Sequence, residues 1–146
     1  MTVVWSSPVR YGECDQQGVV FNAHYLAWAD EALTALLAHL GTPYETLLAR
    51  DLDTAVVATE LQWTSPARWG DTIEVEGTVV KIGNASFTVE LVIRAGERDC
   101  CTVRTTYVMH DSNRVPVRVP DDVREGWLSL DADRPSGAGA RGAPLG

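Results

Sequence analysis

Apolar and polar side chains alternate between residues 72 and 82. Ile73, Val75, Gly77 and Val79 fall on one face, and Glu74, Glu76, Thr78 and Val80 on the other. A period of two predicts a strand with one buried face. Residues 86–95 repeat the pattern, with Phe87, Val89, Leu91 and Ile93 set against Thr88, Glu90, Val92 and Arg94. Residues 100–109 alternate again, residues 55–64 are apolar and β-prone, and residues 3–10 are β-branched before Gly12. Gly83-Asn84 and residues 96–99 supply turn chemistry between the strands. The period changes between residues 22 and 40. There Tyr25, Ala29, Ala32, Leu36 and Leu40 recur at helical spacing, and Trp28, Leu33 and Leu37 widen the stripe. Gly41 suits the residue just past a helix end, and Thr42-Pro43 can restart a short helix to about residue 48. A last short helix is expected over residues 120–130, which open Pro-Asp-Asp. The order is strand, long helix, then four antiparallel strands in a meander. It predicts an α+β layer in which the sheet wraps the helix. Residues 131–146 have almost nothing to bury and are expected to be a disordered tail, leaving one domain over residues 1–130.

Composition narrows the setting. The net charge of −8, with Lys81 the only lysine, disfavours nucleic acid, because phosphate contacts need clustered Lys and Arg. No apolar run approaches the roughly 20 residues that span a bilayer. The N-terminus has no basic region ahead of an apolar one, so no signal peptide is read and the cytoplasm is expected. The three cysteines, Cys14, Cys100 and Cys101, have no CxxC spacing, which speaks against a zinc site or a disulfide framework.

The chemistry concentrates in residues 11–25, Tyr-Gly-Glu-Cys-Asp-Gln-Gln-Gly-Val-Val-Phe-Asn-Ala-His-Tyr. Asp15 sits in a polar, glycine-flanked loop that runs into the long helix. A carboxylate there can attack or deprotonate, while free N–H groups at a helix start can hold an oxyanion. Read alone, Asp15 is first a loop aspartate capping a turn, and Asn22 a helix N-cap. Cys14 reads as an inert thiol and His24 as an interface or surface histidine.

The order of elements and the loop resemble the hotdog-fold acyl-CoA thioesterases, in the 4-hydroxybenzoyl-CoA thioesterase-like branch. The resemblance rests on residues 11–15, on Gly18-Val19-Val20-Phe21, on Tyr25, on Trp28-Ala29-Asp30, and on Arg68-Trp69-Gly70-Asp71 ahead of a strand. It covers about residues 3–119. It implies a hydrolase that converts an acyl-CoA, or an acyl-carrier-protein thioester, to free acid and thiol. Asp15 would be the catalytic nucleophile or general base, and Asn22 would supply a backbone N–H to the thioester carbonyl. Many bacterial members carry His at the Asn22 position. Gly18, Tyr25, Trp28, Asp30, Thr59, Glu60 and Lys81 are the candidate substrate-binding residues. No metal and no separate cofactor is expected; coenzyme A or phosphopantetheine arrives as part of the substrate. Active sites at a homodimer interface are implied, with dimers pairing into homotetramers. Relatives that act on aromatic acyl-CoAs are rich in Arg and Lys at the hairpin of residues 81–86. Here Lys81 stands alone, and help is expected from Arg68 or Arg94.

Two other readings are a hotdog hydratase or dehydratase, which relies on a helix histidine with an acidic partner, and a non-catalytic acyl-thioester binding module. His24 is out of place for the first. Asp15 argues against the second.

Overall fold

The computed structural model describes residues 2–130. Five strands form one antiparallel sheet: β1 (Thr2–Pro8), β2 (Asp53–Trp63), β3 (Thr72–Ile82), β4 (Ser86–Ala95) and β5 (Arg98–His110). The helices are α1 (His24–His39), α2 (Tyr44–Ala49) and α3 (Asp121–Leu130). The disordered tail expected from residue 131 lies outside the described residues. None of the described helices is long and apolar enough to cross a membrane.

The sheet order is β1-β3-β4-β5-β2. The expected meander therefore holds for β3, β4 and β5 only, and β2 lies against β5 at the far edge. Chain connectivity explains the difference. Short turns join β3 to β4 and β4 to β5, so those neighbours pair locally. Residues 64–71 instead leave the sheet: Thr64 N–H donates to the Cys100 carbonyl (2.8 Å), and Val20 N–H donates to the Ala67 carbonyl (2.9 Å). The first strand stops at Pro8, short of Arg10, because the chain turns through a 3₁₀ turn at Tyr11–Glu13.

α1 lies on the apolar face of the sheet, as the hotdog resemblance implies. Ala32, Leu36 and Leu37 of α1 are buried, as are Ile73, Val75, Val89, Leu91 and Val103 of the strands. The helix comes so close to β3 that a Cβ added at Gly77 would meet Leu91 Cδ2 at 2.9 Å and Leu36 Cδ2 at 3.4 Å. At its far end α1 closes with Gly41 N–H donating to the Ala38 carbonyl (3.1 Å) and Thr42 N–H to the Leu37 carbonyl (2.9 Å). α3 seals the same end. Its Trp127 meets Phe87 edge-on at 4.8 Å and donates from Nε1–H to Thr42 Oγ1 (2.8 Å).

The other sheet face is polar and still densely covered. Register puts Thr78, Glu90, Arg104 and Glu60 in one row across β3, β4, β5 and β2. Glu90 is only 1% exposed and takes an Arg104 guanidinium N–H at 2.8 Å. That pairing offsets part of the cost of burying a carboxylate this deeply, while Glu90 Oε1 is buried with no hydrogen-bond partner among the described residues.

Cys100 and Cys101 are fully buried, and burial pushes the Cys101 thiol up to about 12. Cys14 is partly exposed, its thiol raised by burial and by the charges of Glu13 and Asp15. A thiol reagent at pH 8 should therefore titrate at most Cys14 in the native protein, and slowly, and reach all three cysteines only in denaturant. Fast modification of two or more thiols in folded protein would contradict this packing.

A candidate active site at the start of the long helix

The hairpin that carries Asp15 is built almost wholly from backbone bonds. Cys14 and Val20 bridge as antiparallel partners. Asp15 N–H donates to the Val19 carbonyl (2.9 Å) and Gly18 N–H to the Asp15 carbonyl (3.0 Å). Gly18 closes the turn at φ +76°, a conformation glycine adopts at little cost. The Asp15 side chain is exposed, and its Oδ1 accepts the Gln17 N–H at 2.8 Å. That bond fixes one oxygen and leaves the other open to solvent or substrate. The hairpin is pinned from one side, where Trp69 N–H donates to the Gly18 carbonyl (3.2 Å) and Val19 bridges Arg68.

The helix begins at His24, two residues later than the start expected at Asn22. Ala23, not Asn22, is the N-cap residue, and no side chain caps it. Its apolar side chain cannot accept an N–H, so helix-start donors stay open. His24 N–H donates to the Phe21 carbonyl (2.9 Å) and Leu26 N–H to the Ala23 carbonyl (3.1 Å), while the N–H groups of Asn22 and Ala23 find no partner among the described residues. Asn22 is exposed. An exposed carboxylate and two open N–H groups thus stand at the two ends of one short connection.

Tyr25 and Trp28 are buried. The Tyr25 hydroxyl accepts the Ala67 N–H (3.1 Å), and its ring meets Trp28 edge-on at 5.2 Å. Asp30 is exposed and lies beside a cavity of about 270 Å³ that Tyr44, Val56 and Tyr107 also line. Burial, with the Asp30 charge second, pushes the Tyr107 phenol up to about 12, so that cavity presents a neutral hydroxyl. Thr59 shares a hydrogen bond with Thr105 at 2.8 Å, on the helix side of the sheet. Glu60, its neighbour, faces the opposite side, across from Arg104. Lys81 is exposed on that polar face, paired with Thr88. Within one chain, then, Asp15, Gly18, Asn22, Tyr25 and Trp28 gather at the helix start, while Thr59, Glu60 and Lys81 lie elsewhere on the sheet.

Glu13 is the residue that sequence reasoning missed. Its Oε1 accepts the Arg10 N–H (2.6 Å), and its Oε2 meets His24 Nε2 (2.5 Å) and accepts Trp28 Nε1–H (3.3 Å). Burial opposes the charge on Glu13, but these donors outweigh it together and hold the carboxyl below its ordinary value. His24 and Trp28 stand 11 and 15 residues away, so no periodicity could show the cluster. The only local signal was a glutamate three residues after Arg10 at a tight turn.

Residues 9–127 match the family model described as the Thioesterase-like superfamily. The chain belongs to this superfamily. It is 26% identical over 128 residues to the 1,4-dihydroxy-2-naphthoyl-CoA hydrolase of Synechococcus elongatus, covering 86% of this chain and 93% of that one. A shorter stretch of 67 residues is 36% identical to YneP of Bacillus subtilis, about half of each protein (46% and 49%). Among solved structures, the hypothetical protein TT1821 from Thermus thermophilus superposes with a TM-score of 0.81 at 25% identity, covering 88% of this chain and 99% of that one. Family membership and the five-stranded sheet agree on a hotdog thioesterase fold. The superfamily gives the Asp15 hairpin a context that an isolated loop aspartate lacks.

Proposed function

We propose that this protein hydrolyses acyl-CoA thioesters to free acid and thiol, with Asp15 as the catalytic carboxylate and the Asn22 backbone N–H as an oxyanion donor. The observation that carries the reading is the exposed Asp15 carboxylate, held at one oxygen, on the hairpin that leads into open N–H groups at the start of α1. Sulfur donates weakly into a thioester carbonyl, which is therefore electrophilic. Asp15 can attack it, expel the thiolate and leave a mixed anhydride that water cleaves. Alternatively Asp15 takes a proton from a water that attacks directly. Both routes give acid and thiol, and both place negative charge on the carbonyl oxygen, where the helix-start N–H groups stabilise it. No cofactor takes part; the CoA belongs to the substrate. The named activity of the Synechococcus elongatus relative supports this class of reaction.

Gly18 shapes the turn, Trp28 and Tyr25 back the site, and Asp30, Thr59, Glu60 and Lys81 complete the substrate pocket once a second copy is present. Arg94 is committed to Glu76 (2.6 Å) and Asp99 (2.5 Å), so among the two arginines considered Arg68 is the one left for phosphate. That favours CoA met by few charges, with an acyl-carrier-protein thioester as the other carrier to test. The working compartment is the cytoplasm.

The second copy enters through β2. This edge strand is exposed from Val56 to Glu60, with Val56 53% and Val57 57% exposed. An apolar edge with unpaired backbone groups is a template for another strand. Two copies joined edge to edge form the homodimer, and dimers pair into a tetramer. Val57→Lys brings like charges together at such a joint. It is expected to shift the elution of the protein toward a monomer-sized species and to reduce hydrolysis with it. A wild type that is monomeric at working concentration and still active rules the shared site out.

The test of the function itself is a panel of aliphatic and aromatic acyl-CoAs, plus acyl-carrier-protein thioesters, with free thiol followed over time. Release from at least one substrate is expected. No release from any of them sinks the hydrolase reading. The His24–Glu13 contact gives the hydratase reading a histidine with an acidic partner, although His24 stays out of place for it on the helix. Loss of enoyl-CoA absorbance without thiol release would favour that reading instead.

A further inference from the structure

We propose that Glu13 is a positioning residue for the Asp15 site, with His24 as its partner on the helix; this role rests on the hydrolase reading above. The Glu13 side chain is only 10% exposed, and His24 28%. One carboxylate takes donors from three places along the chain: Arg10 N–H at 2.6 Å, His24 Nε2 at 2.5 Å and Trp28 Nε1–H at 3.3 Å. The Glu13 backbone is engaged as well. Its N–H donates to the Arg10 carbonyl (3.0 Å), and its carbonyl accepts the Phe21 N–H (2.9 Å).

These bonds place Glu13 at the joint between both halves of the site. Through Phe21 it closes the open end of the hairpin that carries Asp15. Through His24 and Trp28 it holds the first turns of α1, where Asn22 and Ala23 present their N–H groups. Asp15 follows Glu13 by two residues, and Asn22 precedes His24 by two. A displacement of Glu13 is passed to the carboxylate and to the oxyanion donors together.

Packing does only part of this work, through the buried Tyr25 and Trp28 rings. A cavity of about 440 Å³ lies between β1 and the start of α1, and Arg10, Glu13, His24, Trp28 and Glu31 all line it. With open space on that side, the Glu13 bonds set the spacing of hairpin and helix there, while on the other side Ala67 ties the two, its carbonyl accepting the Val20 N–H and its N–H donating to the Tyr25 hydroxyl. Three donors also require an acceptor with two bare oxygens. A carboxylate meets that need. Glutamine offers one oxygen and turns its NH₂ against at least one donor.

The experiment compares wild type, Glu13→Gln, Glu13→Asp and Asp15→Asn on the acyl-CoA that wild type cleaves fastest. Glu13→Gln is expected to lower kcat by about 10- to 100-fold, the size of effect that misplacing a reacting group produces, with KM within about threefold of wild type. Glu13→Asp keeps the charge and should recover part of the lost kcat. A purely structural role would lower stability and leave kcat per folded molecule unchanged. A folded Glu13→Gln with kcat within about fivefold of wild type overturns the proposal, as does Glu13→Asp no better than Glu13→Gln. If Glu13→Gln does not fold, His24→Gln takes its place under the same kcat criterion, since it leaves the Arg10 and Trp28 bonds intact. Wild type that releases no thiol overturns the hydrolase reading and this role together. Loss of activity in Asp15→Asn alongside a fully active Glu13→Gln overturns this role alone.

Discussion

Asp15→Asn is expected to lower kcat for thioester hydrolysis by roughly 10²–10⁴-fold, the range that a positioned acid–base group supplies, and by more if the carboxylate is the nucleophile. The substitution isolates the chemistry well. Asn is nearly isosteric, and its Oδ1 can still accept the Gln17 N–H that Asp15 accepts at 2.8 Å. The bonds from Asp15 to Val19 and from Gly18 to Asp15 are backbone bonds and do not depend on the side chain. Asp15 is exposed, so its replacement should move stability by no more than about 0.5 kcal/mol. What the amide cannot do is attack a carbonyl or accept a proton from water. KM should stay close to the wild-type value, because the lost interaction belongs to the transition state and not to the bound substrate. Free-thiol release and a thermal melt on the same preparations check both halves of the expectation. Equal release by the two proteins would remove Asp15 from the mechanism, and the Asp15 hairpin would then be only a turn.

The parts of this molecule that were readable in the sequence are those governed by local pattern. β3 and β4 were visible because their side chains alternate, and Ile73, Val75, Val89 and Leu91 are buried as expected; the burial of Thr78, Glu90 and Val92 on the opposite face was not expected from the alternation. The Asp15 turn was visible because Gly18 marks it. The pairing of β2 with β5 was not, because the choice between β3 and β5 as its neighbour is made by residues 64–71 anchoring on Cys100 and Val20, far away in sequence. The helix start was misplaced for a related reason. Asn22 has the chemistry of a cap, yet the chain enters α1 through Ala23 because the Phe21 N–H is held by the Glu13 carbonyl. Glu13 itself illustrates the limit most sharply. A glutamate near a turn looks like a solvated charge until folding brings His24 and Trp28 to it. The bond from Trp127 to Thr42, 85 residues apart, belongs to the same class.

Leu36→Ala is expected to destabilise the protein by about 2–5 kcal/mol, a large share of the 5–15 kcal/mol that holds a typical domain together. Leu36 is fully buried on α1, and its two methyl carbons lie 3.4 and 3.6 Å from where a Cβ on Gly77 would sit. It therefore fills the closest approach of helix to sheet, and truncation leaves a void that the β3–β4 backbone, held by its ladder bonds, cannot close and that a shift of side chains fills only in part. Gly77→Ala should cost about 1–3 kcal/mol for the opposite reason, since the added Cβ falls 2.9 Å from Leu91 Cδ2. The two changes are coupled. With Leu36 truncated, Leu91 can move into the space it vacates and admit the new methyl group. The double variant should then be more stable than the sum of the singles predicts, by about 0.5 kcal/mol or more. Urea unfolding of all four proteins at one concentration measures this, with the concentration held fixed because self-association shifts apparent stability. Strict additivity, or a Leu36→Ala cost below about 1 kcal/mol, would mean that helix and sheet do not meet through Leu36 and Gly77 as described.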